Sequence, residues 1–158
     1  MSSSPFQTPY RGLEPAWFDY NGHLNMAYYN VLFDQAIDLL FSQLGCGETY
    51  LVEENMSFFT AEAHVCYIRE LKPDSLVRTD IRIVDCDEKR LHVFEELYHQ
   101  DGWLSATSET LLLHINMAGP KVTAIPAHLF AKISAMKKSH AQLPANDRVG
   151  RSISIKRK

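Results

Sequence analysis

Trp17-Phe18-Asp19-Tyr20-Asn21-Gly22-His23-Leu24-Asn25-Met26 packs a carboxylate, an imidazole, two carboxamides and three aromatic rings around a central glycine. Asp19, Asn21, His23 and Asn25 fall at alternate positions, a pattern that packing alone does not require. A loop held by a rigid element can aim such groups at a ligand. The rigid element follows at once. From Ala27 to Leu44, the residues Tyr29, Leu32, Phe33, Ala36, Leu40 and Leu44 recur at spacings of three and four, which predicts a helix. Ile37, Leu39 and Phe41 widen the apolar stripe, so the helix is expected to be buried on most sides. Asn25 suits its N-cap and Gly45 the position just past its end.

On the N-terminal side, Gln7 to Glu14 reads as a short strand ended by Pro15. On the C-terminal side, Gly45 and Gly47 loosen the chain before Asn55 to Glu70 begins to alternate. Period two predicts a strand with Phe59, Ala61, Ala63, Val65 and Tyr67 on the buried face and Thr60, Glu62, His64 and Cys66 on the polar one. Lys72-Pro73-Asp74 makes a turn. Strands are expected at Leu76–Cys86, Leu91–His99 and Trp103–Ile115, the last two joined tightly enough for a hairpin. Pro126 opens a final helix over Ala127–Lys138. One helix followed by a run of antiparallel strands is an α+β pattern.

A chain of 158 residues is most simply one domain, able to bury about 70% of its unfolded surface. A net charge of −3 gives no reason to expect nucleic acid as a partner. The charge is uneven: residues 137–158 hold seven Lys or Arg and one acid, leaving −9 on the remainder. The division read from this is a domain at 1–136 and a basic tail at 137–158. The tail can touch phosphates or a membrane; the plainer reading is a solvated, frayed terminus. Met1 to Thr8 lacks the basic and apolar regions of a signal peptide, and no apolar run approaches the ~20 residues of a membrane span. Three cysteines without a CxxC pair read as reduced cytoplasmic thiols, buried as small hydrophobes. No HxH or HExxH spacing supports a metal, and no Walker loop, GxGxxG or GxSxG is present.

Asp19-x-Asn21-x-His23-x-Asn25, followed by Tyr28 and the long helix, resembles the active-site loop of hotdog-fold acyl-CoA and acyl-carrier-protein thioesterases, the 4-hydroxybenzoyl-CoA thioesterase-like proteins among them. The resemblance spans roughly residues 7–135. The longer string DYNGHLNMAYYN is most similar to betainyl-CoA thioesterases of carnitine breakdown. The resemblance implies a single hotdog domain, an antiparallel sheet wrapped around one long central helix. It also implies a homodimer or a tetramer with active sites at subunit interfaces, and coenzyme A only as part of the substrate, with no separate cofactor.

Thioester hydrolysis needs an activated nucleophile, a polarised carbonyl and room for the thiolate. Asp19 can attack the carbonyl or act as general base to water; it can equally cap the local turn. His23 can polarise the carbonyl, orient water or hold Asp19, or it is a hydrogen-bonded loop histidine. Asn21 positions water or the carboxylate, or sits in an Asx turn ahead of Gly22. Unpaired N–H groups at the helix start suit a developing oxyanion. Trp17, Tyr20, Asn25, Tyr28, Phe59 and Thr60 are the expected substrate-binding residues, with Asn25 also the cap. The resemblance implies a betainyl acyl group, and aromatic faces, which attract quaternary ammonium groups, agree with it; the alternatives are a medium-chain or aromatic acyl group, or the same rings packing the helix into the sheet. A hydratase would show Asp-x-Asn-Pro-x-His, which Gly22 and the early His23 break. A non-catalytic acyl-binding module would have no need of the loop carboxylate.

Overall fold

The computed structural model describes residues 3–158. Its elements are β1 (Phe6–Gln7), a 3-10 turn (Pro15–Trp17), α1 (Met26–Leu44), α2 (Glu48–Glu54), β2 (Met56–Tyr67), β3 (Val77–Cys86), β4 (Arg90–His99), β5 (Leu104–Asn116), β6 (Lys121–Val122) and α3 (Ala127–His140). The strands form one antiparallel sheet in the order β1-β3-β4-β5-β2, with β6 added to the far end of β5. The sheet curves over α1, the hotdog arrangement that the resemblance implies.

The stripe read from the sequence is the buried face of α1: Tyr29, Leu32, Phe33, Ala36, Ile37, Leu40, Phe41 and Leu44. Leu39 does not join it and is 47% exposed. Asn25 caps the helix by accepting from the Ala27 N–H, and Gly45 closes it at φ 80°, where a side chain would be strained. The first half of α1 packs on Leu71, Val77, Leu97 and Ala106, while the second half packs with α3 on Ile81, Ile83, Leu91, Val93 and Leu112.

Three local features depart from the alternation and spacing read above. The N-terminal strand is shorter than Gln7–Glu14, reduced to Phe6–Gln7 and a single bridge from Arg11 to Val77. Residues 48–54, expected to be loose, form α2, which Asn55 ends at φ 54°. In β2 a bulge falls between Thr60 and Glu62, leaving Ala61 without a partner on β5. A bulge resets the alternation. Phe58 and Thr60 therefore face α1, together with Val65 and Tyr67 beyond the bulge, and Glu62 and His64 face outward. The strand reading had placed Phe59 inside and Thr60 outside; Phe59 is 43% exposed.

The C-terminal segment also differs from a solvated terminus. α3 continues to His140, whose buried Nδ1 accepts from the Ile83 N–H at 2.9 Å. Arg82 donates to the Pro144 carbonyl at 2.8 Å, Asn146 Nδ2 donates to Glu96 at 3.0 Å, and the Gly150 N–H reaches the Glu109 carboxylate at 2.7 Å. Residues 140–150 thus cross the outer face of the sheet, and 151–158 are exposed. No helix among the described residues is long and apolar enough to cross a membrane.

Candidate active site

The loop before α1 is a closed turn. The Asp19 N–H bonds the His23 carbonyl, and the Gly22 N–H bonds the Asp19 carbonyl, each at 3.0 Å. Gly22 sits at φ 75°, a conformation that glycine adopts without strain. The Asp19 side chain belongs to the same turn: its Oδ1 accepts from the N–H groups of Asn21 at 2.9 Å and His23 at 3.3 Å. Both contacts fall on Oδ1, so Oδ2 lies outside them. The local capping role and a reactive carboxylate are thus compatible in one half-buried side chain.

Two tethers fix the loop to the body. The Asn25 N–H bonds the Trp17 carbonyl at 2.9 Å, and the Leu24 N–H bonds the Leu71 carbonyl at 3.1 Å. The second tether brings the end of β2 beside the loop. There His23 Nδ1 lies 3.1 Å from Glu70 Oε2, both side chains partly exposed. An open cleft of about 280 Å³ runs between them, lined by His23, Met26, Tyr29, Tyr67, Arg69 and Glu70 among others. Tyr67 donates to the Met26 carbonyl at 3.1 Å, which anchors the first turn of α1 to the same wall. Glu70 was not singled out from the sequence. It is 47 positions from His23, and no local spacing connects the two.

The expected site residues divide into four groups. Asp19, Asn21, His23 and Tyr20 share the turn, with Asn21 contributing its backbone N–H and Tyr20 98% exposed. Trp17 and Tyr28 stack on each other, with ring centroids 5.5 Å apart, and Arg11 lies over Trp17 at 5.2 Å. Asn25 has its side-chain oxygen engaged by the Ala27 N–H at 3.0 Å. Phe59 and Thr60 lie apart from the loop of the same chain: seven residues along β2 separate Thr60 from Tyr67, roughly 23 Å of strand. Thr60 instead lines a second cavity, between α1 and β2, with Asp34, Asp38 and Leu112. The other rings near the helix are packing: Tyr29 meets Tyr67 edge to face at 5.1 Å, and Phe58 stacks on Phe41 at 5.0 Å.

Residues 13–133 match the Thioesterase-like superfamily. The chain belongs to that superfamily. A betainyl-CoA thioesterase of Pseudomonas aeruginosa is 33% identical over 151 residues, which cover 95% of this chain and 93% of the relative. The L-carnitine dehydrogenase/betainyl-CoA thioesterase of Rhizobium meliloti is 32% identical over 99% of this chain, which spans 32% of that longer protein. A Staphylococcus aureus protein solved in complex with CoA superposes with a TM-score of 0.91 at 26% identity, covering 99% of this chain and 98% of that one. As a member of the Thioesterase-like superfamily the chain is a thioester hydrolase, and the loop of Asp19 and His23 is its candidate active site.

Proposed function

We propose that this thioester hydrolase cleaves acyl-CoA through Asp19, and that the acyl group is betainyl. The observation that carries the reading is the Asp19 carboxylate, held through one oxygen by its own turn directly before the start of α1. Asp19 supplies the charge that attacks the thioester carbonyl or takes the proton from the water that does. The oxyanion forms against the positive end of α1. His23, backed by Glu70, orients the water or the carbonyl, and the bond that breaks releases the CoA thiolate.

The string from Asp19 to Asn30 and the two curated relatives support the betainyl group. The aromatic residues support it less, because Trp17 and Tyr28 occupy each other's faces within one chain. That packing favours the second reading, a neutral medium-chain or aromatic acyl group. The open edge of β2 supports a homodimer or a tetramer. The three free cysteines support a cytoplasmic setting.

The test measures hydrolysis with the released thiol trapped by a chromogenic disulfide. Betainyl-CoA is compared with its neutral isostere, 3,3-dimethylbutyryl-CoA. A higher kcat/KM for the cation is expected. Equal or better turnover of the neutral compound overturns the betainyl reading and leaves the thioesterase intact; failure to hydrolyse any acyl-CoA overturns both.

A further inference from the structure

The chain turns round the edge of the sheet at His140. α3 packs with α1 against the inner face through Leu129 and Ile133, whereas residues 141–150 lie on the outer face. β1 pairs with β3 only at Asp80 and Ile81, so no strand of the described residues covers that side of β3 at Ile83. His140 stands there instead: its buried Nδ1 accepts from the Ile83 N–H at 2.9 Å. Only a ring nitrogen without a proton accepts, so the contact requires the neutral imidazole, protonated on Nε2 alone.

Beyond His140 the chain runs as a strap across β3, β4 and β5 in turn. Arg82 donates to the Pro144 carbonyl, Asn146 Nδ2 to Glu96, and the Gly150 N–H to Glu109. Phe94 lies beneath it. Leu91, Val93 and Leu97 of β4 belong to the inner core, so Phe94 points to the outer face, in register with Arg82 and Glu109. A ring on an uncovered outer face would meet solvent, yet Phe94 is 1% exposed. The strap, bonded to the residues on either side of Phe94, is its cover.

We propose that His140 is a pH-sensitive latch: protonation of its imidazole releases residues 141–150 from the outer face of the sheet and uncovers Phe94. The added proton goes to Nδ1 and sets one N–H against the N–H of Ile83. The surroundings give the imidazolium no counter-charge. Burial first, and the Arg82 guanidinium second, hold the His140 imidazole below its ordinary value. From α3, Lys132 shares with His140 a groove that Ser4, Phe6, Gln43 and Met136 also line, and among the described residues no carboxylate lines it. The outward-facing acids of β3 and β4, Asp80, Asp85 and Glu96, are engaged with Arg78, Lys137 and Arg82. The strap brings its own Asp147 and Arg148 only past Asn146. The docked strap thus carries fewer protons than the released one, so docking weakens as pH falls through the ordinary imidazole range, about 6.5. At the far end, His92 lies 3.4 Å from Glu109. Protonation there strengthens that pair and leaves the Glu109 carboxylate to accept from Gly150, so His92 does not release the strap.

The experiment follows hydrogen exchange at the Ile83, Gly150 and Leu97 amides, corrected for the intrinsic rate, between about pH 5 and 8. Protection at Ile83 and Gly150 is expected to fall together, by up to about tenfold per pH unit below the imidazole range, with Leu97 of the core unchanged. Constant protection at Ile83 and Gly150 overturns the latch. Loss at Ile83 alone means local fraying, and equal loss at Leu97 means global unfolding; either overturns it too. His140→Asn keeps an acceptor oxygen near the place of Nδ1 and does not titrate, so its protection is expected to be flat with pH; a wild-type profile in this variant assigns the effect elsewhere. A third reading needs no variant. In the wild-type chain the ring signals of His140 and Phe94 are expected to shift with one common midpoint, and separate midpoints overturn the proposal.

Discussion

Asp19 holds its turn and presents a charge with the same carboxyl group, and the two roles separate by substitution. Asn keeps the Oδ1 that accepts from the Asn21 and His23 N–H groups, so Asp19→Asn preserves the turn and removes only the charge. We expect kcat for acyl-CoA hydrolysis to fall by roughly 10²-fold or more, the scale of a lost general base or nucleophile, with the melting temperature unchanged. Near-native turnover with an unaltered melting curve would remove Asp19 from the mechanism. Much at this scale was legible beforehand. The alternation of Asp19, Asn21, His23 and Asn25 marked the loop, and Asn25 was recognisable as the cap. Glu70 was not legible, because its partnership with His23 exists only once Leu24 is tied to Leu71, just beyond β2.

Among the elements, β4 carries a carboxyl at a core position: Glu95, between Val93 and Leu97 on the α1-facing side, is fully buried, and neither of its oxygens has a hydrogen-bond partner among the described residues. The folded chain keeps the Glu95 proton well above the ordinary carboxylate range, whereas the unfolded chain gives it up within that range. Above that range the unfolded state binds fewer protons than the folded one, so stability falls as pH rises, until the buried carboxyl itself ionises. Glu95→Met removes this loss along with the unpaired oxygens. We expect the variant to be more stable at neutral pH by about 1–3 kcal/mol, and its stability to vary less with pH above the ordinary carboxylate range. Denaturant melts across pH read both quantities; a variant less stable than wild type at every pH would show that Glu95 supports the fold. In β2 the bulge at Ala61 carries the other element-scale lesson. Period two was plain in the sequence, but a single unpaired residue exchanged the faces of Phe59 and Thr60. A bulge leaves no mark in hydrophobic alternation that distinguishes it from a regular strand with one mismatched residue.

For the whole molecule, the sheet ends at β2, where no other strand pairs among the described residues. β2 is also the longest run of exposed edge, and Phe59, Tyr67 and the neighbouring Ile68 are 40–46% exposed there. Unpaired edges with apolar side chains are covered in native proteins. We expect light scattering at micromolar concentration to report a homodimer or a tetramer, and a single monomeric species would contradict that assembly. On the outer face the sheet is covered differently. Residues 140–150 lie across it through His140, Pro144, Asn146 and Gly150, although composition alone had marked them as tail.

By itself the sequence determined the α+β class, the span of α1 with both its caps, the four long strands and the loop that carries Asp19 and His23. These are local properties: periodicity, capping chemistry and turn residues act over a few positions and are written in order along the chain. Only the tertiary structure decided that His23 meets Glu70, that Thr60 faces Asp34 across the α1–β2 cavity, and that Glu95 is sealed in the core without a partner. Each of these depends on strand register and on the packing of α1 against the sheet, which join residues tens of positions apart and leave no spacing in the sequence to read.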